Sequence, residues 1–235
     1  MTTVGDRPGI PATRAEAREL VVLFSRRMLS EHLVSYTAGN ISTRIASEPD
    51  LVAVTPGSTA YDTLRPEDIV IVRLDGTVVE GTRRPTAELP LHTLAYVDRP
   101  DVWGIVHTHS RAAMAMAAMG MDLPPILHGL VSACGGGIVT APYARGATPE
   151  MAQRTRGPLR SRSACLLRNH GVLAIGPTVE HAYNAASTVE GVADAYLMAL
   201  PFGPVPEVPA EDVERIRREQ WQPAWTGVGT LSHGG

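Results

Sequence analysis

The chain contains no lysine; all 21 of its basic residues are arginine. Catalysis through a protein–substrate iminium and attachment of pyridoxal phosphate both need a lysine amine, so both are excluded. A Walker-type nucleotide loop is excluded with them, because its phosphate-binding lysine is missing. Cysteine is nearly as scarce. Cys134 and Cys165 are the only two, too few for a disulfide framework, and they read as reduced structural thiols. Charge of either sign is small in excess, 21 − 24 = −3, so no basic field exists to collect nucleic-acid phosphates. Long apolar runs are missing as well: the stretch from Ala112 to Met121 is too short to span a membrane. The N-terminus has no basic segment leading into an apolar one, as an export signal would. These absences predict a soluble cytoplasmic protein with no nucleic-acid and no membrane partner.

The 235 residues are 44% hydrophobic and 19% charged, enough apolar material for one sizeable core. Thr13 and Glu16 have capping-box spacing, and Leu20, Val21, Phe24 and Met28 behind them share one helical face. Short strands are predicted at Ile41 to Ile45 and Leu51 to Thr55. A hairpin is predicted from Asp68 to Glu80 around Asp75-Gly76. That antiparallel pair argues against a purely parallel, doubly wound sheet. Further helices are predicted over Glu88 to Val97, Arg111 to Met119 and Pro149 to Leu159, and a long one runs from the Thr178 cap to about Leu200. Strands are predicted at Val102 to His109, Ala164 to Arg168 and Val172 to Ile175. After Pro201 the composition shifts to proline, then to one charged helix near Ala210 to Gln220 and a loose tail. The reading is one α/β domain over residues 1–200 with an extension over 201–235.

Three of the eight histidines stand where ligands can stand. His107 and His109 flank Thr108 in a predicted strand, and side chains two apart on a strand project from the same face. Two neutral imidazoles together make half of a zinc site. A third donor is needed, and His170, in the turn Arg168-Asn169-His170-Gly171, is the best remaining candidate. His92 follows Glu88 by four residues on one helical face and reads as a packing or supporting group. His32, His181 and His233 read as carrying no chemistry.

Four anchors occur in order: Thr37-Ala38-Gly39-Asn40-Ile41-Ser42, Thr55-Pro56-Gly57-Ser58, Arg84-Pro85-Thr86-Ala87-Glu88 and Val106-His107-Thr108-His109-Ser110. Leu167-Arg168-Asn169-His170-Gly171 completes the set, and with these segments the chain resembles the class II aldolase/adducin family. The resemblance runs from about residue 15 to 200 and includes Ala141-Pro142-Tyr143-Ala144. It implies a single α/β domain whose central mixed, largely antiparallel sheet lies between helical layers. It also implies a zinc ion, with Mn2+ or Co2+ as the other options, on His107, His109 and His170. Glu88 becomes the catalytic acid/base, able to ligate the metal too; its ordinary alternative is a carboxylate at a helix N-terminus. Substrate phosphate is assigned to Thr37, Gly39, Asn40, Ser42, Gly57, Ser58 and Thr86, with a turn-stabilising role as the alternative for Asn40.

The sequence also departs from the family. Ala87 stands where the pattern has a second hydroxyl, and Gly129 where the family's sugar-phosphate aldolases place a tyrosine from a neighbouring subunit. His128 beside it is a candidate catalytic replacement, or a structural histidine. Arg145-Gly146 replaces a phenylalanine. The expected function is metal-dependent cleavage of a ketose 1-phosphate, of the L-fuculose-1-phosphate kind, to glycerone phosphate and an aldehyde. A zinc-stabilised enediolate carries that reaction, since no lysine is present to make an iminium. A decarboxylase of the same family acting on a hydroxylated aromatic or sugar acid is the alternative. A dehydratase or epimerase follows, and an adducin-like binding module is the non-enzymatic option. The resemblance implies a homotetramer with active sites between subunits, the small-residue stretch Met114 to Gly137 serving as contact or as ordinary core.

Overall fold

Helix α1 (Arg14–Ser30) starts where the capping box places it. The Thr13 hydroxyl accepts from the Glu16 amide at 3.3 Å, and the Glu16 carboxylate accepts from the Thr13 amide at 3.1 Å. The computed structural model describes residues 8–226. After α1 come strands β1 (Asn40–Ile45), β2 (Glu48–Val54), β3 (Val70–Arg73) and β4 (Val78–Glu80), then helix α2 (Leu89–Asp98) and strand β5 (Gly104–Thr108). Helices α3 (Arg111–Met119) and α4 (His128–Cys134), strand β6 (Thr140–Ala141) and helices α5 (Pro149–Arg154) and α6 (Arg156–Leu159) follow. Strands β7 (Ala164–Leu167) and β8 (Gly171–Gly176) lead into the long helix α7 (Val179–Ala199).

The eight strands form one sheet in the order β4-β3-β2-β1-β5-β8-β7-β6, antiparallel throughout except for the parallel pair β6–β7. This is the mixed, largely antiparallel sheet expected from the sequence. Alternate residues feed two separate cores. Leu51, Ala53, Leu166, Val172 and Ala174 pack toward α1, α3 and α7. Their neighbours Val52, Val54, Leu167, Leu173 and Ile175 pack toward α2, α5 and α6. With both faces covered, the central strands are apolar on both sides and lose the usual hydrophobic–polar alternation. The stretch of small residues before Gly135 hides the short helix α4, whose seven residues are too few to show an amphipathic period.

Two boundaries moved for local reasons. The helix predicted over Pro149 to Leu159 breaks at Thr155 into α5 and α6, because Pro158 has no amide hydrogen and would clash with the carbonyl of residue 154. The strand predicted from Asp68 begins later, since Pro66–Asp68 forms a 3-10 turn closed by the Asp68 carboxylate on the Arg65 amide at 3.0 Å. In the extension, α8 (Ala210–Ile216), a π-helical turn (Arg217–Trp221) and α9 (Gln222–Thr226) run on continuously. Trp221 and Trp225 join the apolar cluster on the α2 side, and the Trp221 indole donates to Ser163 Oγ at 2.7 Å. The expected loose tail falls chiefly on residues 227–235, which lie outside the described residues. Among the described residues, no helix is long and apolar enough to cross a membrane.

Candidate metal centre

β1 and β5 are neighbours, with Asn40 opposite His107, and this pairing sets the floor of the site. His107 is the last but one residue of β5 and faces the α2 side of the sheet, fully buried, and its Nδ1 donates to the Val172 carbonyl on β8 at 2.7 Å. A neutral ring held this way has a bare lone pair on Nε2. That atom lies 2.9 Å from His109 Nε2 and 3.1 Å from Glu88 Oε2. His170, in the β7–β8 turn, places its Nε2 3.2 Å from Glu88 Oε1. The three rings meet edge-on, with centroids 4.7–4.9 Å apart.

Ligand atoms of Glu88, His107, His109 and His170 all lie within 4.8 Å of one another. A tetrahedral ion with bonds of ~2.0–2.1 Å separates its ligand atoms by roughly 3.3–3.4 Å. Three imidazoles and one carboxylate at these spacings therefore fit a zinc-like divalent ion. The electrostatics lead to the same fit. Lone pairs and a carboxylate facing each other at about 3 Å repel unless a positive charge, proton or metal, lies among them. Burial pulls the Glu88 carboxyl upward, yet the charge that His107 carries when protonated, the hydrogen bonds that His107 and His170 then donate, and the one from Asn40 outweigh it. They hold the carboxyl far below the usual carboxylate range. Burial, with the His107 and His170 rings beside it, pushes His109 down to about 3, so it stays the neutral imidazole that a metal requires.

Close backbone approach makes the third histidine possible. A Cβ on Gly171 would lie 2.2 Å from the Thr108 carbonyl oxygen and 3.1 Å from His109 Cδ2. A methyl there forces β5 and β8 apart at the histidines. Gly171→Ala should lose the bound ion and about 1–3 kcal/mol of stability, the usual cost of overpacking. Thermal melts with metal analysis check this, and a variant that melts and binds like wild type contradicts the arrangement. Gly39 is constrained similarly: its φ is +73°, and a Cβ would meet the His107 carbonyl oxygen at 2.5 Å.

The expected phosphate residues divide into two sets. An isolated bridge between Pro56 and Pro85 brings the turn at Gly57 and Ser58 beside Thr86, next to Glu88, while Thr37 and Gly39 lie in the loop before β1. Three of these residues have their polar groups engaged within the chain. The Gly57 amide donates to the Arg84 carbonyl at 3.0 Å. Ser42 is fully buried, its hydroxyl 2.7 Å from His92 Nδ1 and 2.9 Å from the Tyr96 hydroxyl. Asn40 is bound at both ends, Nδ2 donating to Glu88 Oε2 at 2.7 Å and Oδ1 accepting from His92 Nε2 at 2.5 Å. Its amide thus lies between Glu88 and His92.

His92 is fully buried between Asn40 and Ser42, and burial pushes it down to about 3, so its ring stays neutral. His128 is not among the residues gathered around Glu88. It lies exposed at the start of α4, within 3.1 Å of Gln220 Oε1. No Cβ on neighbouring Gly129 would touch anything within 4 Å. Sequence reasoning missed Tyr96, which is legible as Glu88, His92 and Tyr96 spaced by four along one helical face. It also missed Tyr61, whose hydroxyl donates to the Gly39 carbonyl at 2.5 Å; no local pattern marks that residue.

Residues 19–197 match the family described as Class II Aldolase and Adducin N-terminal domain. A 5-deoxy-D-ribulose 1-phosphate aldolase from Bacillus thuringiensis serovar kurstaki is 34% identical over 202 residues, covering 86% of this chain and 94% of that protein. A 5-methylthioribulose-1-phosphate/5-deoxyribulose-1-phosphate aldolase from Rhodospirillum rubrum is 31% identical over 207 residues, covering 88% and 92%. Among solved structures, an L-fuculose 1-phosphate aldolase superposes with a TM-score of 0.84 at 28% identity, over 91% of this chain and 99% of that one.

Proposed function

This chain is a lyase belonging to the class II aldolase and adducin family, and we propose that it is a metal-dependent aldolase cleaving a ketose 1-phosphate to glycerone phosphate and an aldehyde. The observation that carries this is the convergence of Glu88 with His107, His109 and His170 in a chain that has no lysine. The relatives named for 5-deoxyribulose 1-phosphate and the structural neighbour named for L-fuculose 1-phosphate support a short deoxyketose phosphate as substrate.

Aldol cleavage breaks the C3–C4 bond, leaves its electron pair on the C3 fragment and requires a proton to be returned to that carbon. His107, His109, His170 and Glu88 would hold the ion, zinc by the chemistry of this donor set, which when bound supplies Lewis acidity toward the ketose oxygens. Glu88, the only carboxylate in the cluster and held ionised by its neighbours, takes a substrate proton and gives it back to carbon. Gly39, Ser58, Thr86 and Thr37 are the residues that would receive the phosphate. Metal-loaded protein should release aldehyde from 5-deoxyribulose 1-phosphate or L-fuculose 1-phosphate. Carbon dioxide from a hydroxylated aromatic acid, with no aldehyde from either sugar phosphate, would overturn the assignment in favour of a decarboxylase.

The assembly that goes with this reading is a homotetramer in which His128 approaches the metal of an adjacent chain. Its exposure and the open space at Gly129 support that placement. His128→Ala should then lower turnover without lowering metal content. Light scattering that reports a fully active monomer excludes a shared site.

A further inference from the structure

The hydrogen bonds behind Glu88 form a single buried chain whose direction is determined at every link. A carboxylate only accepts, so Asn40 must turn its NH2 toward Glu88 Oε2, at 2.7 Å. The Asn40 carbonyl then faces His92, whose Nε2 must carry the hydrogen, at 2.5 Å. In a neutral imidazole the other nitrogen is then an acceptor, so Nδ1 takes the Ser42 hydroxyl hydrogen at 2.7 Å. Ser42 Oγ in turn accepts from the Tyr96 hydroxyl at 2.9 Å. Asn40, Ser42, His92 and Tyr96 are all buried, so no water competes for these groups. The Tyr96 end is anchored too: its carbonyl accepts from the buried Arg44 guanidinium at 2.7 Å, and that guanidinium stands 4.9 Å from the Tyr96 ring centre.

We propose that His92, backed by Ser42 and Tyr96, is a positioning residue that fixes the Asn40 amide and through it the orientation of the Glu88 carboxylate. The proposal rests on the reading of Glu88 as part of the metal centre. An amide has two faces that differ only in which end donates. Without a donor at His92 Nε2, Asn40 is free to turn its carbonyl toward Glu88, which would place two acceptors against each other.

The test compares His92→Leu, which removes both ring nitrogens, with His92→Gln, whose amide restores a donor near the Nε2 position. Zinc affinity is read by competition with a chromogenic chelator, independently of any substrate. His92→Leu should weaken zinc binding by about 10–100-fold, the usual cost of losing a group that supports a ligand. Its kcat should fall with KM within about twofold of wild type, a loss of alignment and not of substrate binding. His92→Gln should recover most of both losses, while Tyr96→Phe, one link further back, should show a smaller loss of the same kind. If His92→Leu does not fold, the Gln and Phe variants carry the comparison.

Two outcomes overturn the proposal alone. One is a set of folded variants whose zinc affinity and kcat match wild type. The other is His92→Gln losing as much as His92→Leu in affinity, with a parallel fall in melting temperature, which describes packing only. A wild-type protein that binds no divalent ion overturns the metal reading and this proposal together.

Discussion

Glu88→Gln should lower turnover by roughly 10²–10⁴-fold, the range in which a positioned general acid–base group contributes. The substitution keeps the size of the side chain and an oxygen that can accept from Asn40 Nδ2, now 2.7 Å from Glu88 Oε2. What it removes is the negative charge and the proton carrier. His107, His109 and His170 remain as three nitrogen donors, so at saturating metal the variant should still hold one ion per chain. Steady-state kinetics beside metal analysis separates the two losses. Turnover within about threefold of wild type, far below that range, would mean that the proton is handled by another group.

Removing the ion should be visible in stability as well as in activity. A ligand that binds only the folded state at a hundred times its Kd stabilises it by about 2.7 kcal/mol. For a chain of this size, 2–4 °C per kcal/mol converts that into a fall of roughly 5–11 °C in Tm when a chelator strips the metal. His107→Ala should be inactive and should begin from a lower Tm. The residue is fully buried, and its loss also leaves the Val172 carbonyl without its 2.7 Å donor. The decisive feature is the chelator response. Wild type should shift and His107→Ala should not, because the variant has no site left to empty. A variant that still shifts by the wild-type amount would place the ion elsewhere in the chain.

Much of this site could be read before any fold was known, for reasons that are local. His107 and His109 project together because strand side chains repeat every two residues, and Thr13, Thr178 and Asp75-Gly76 act on their immediate neighbours. The absence of lysine is a count and needs no structure. The resemblance of five short segments joined His170 and Glu88 to the pair, although the segments themselves are far apart in the chain.

What the sequence determined, then, is the chemistry available: three imidazoles and a carboxylate for an ion, no amine for an iminium, and strands and helices in nearly their observed order. The tertiary structure alone decided which donors are free to use. Asn40, Ser42 and Gly57 have the composition of a phosphate site, yet strand pairing and the packing of α2 assign their polar groups to Glu88, His92, Tyr96 and Arg84. Tyr61 reaches Gly39 from 22 residues away in the chain, and His128 turns outward to Gln220. A residue's hydrogen-bonding capacity is written in its side chain, but its partner is set by what the fold buries against it. Each buried polar group must be satisfied by whichever neighbour arrives.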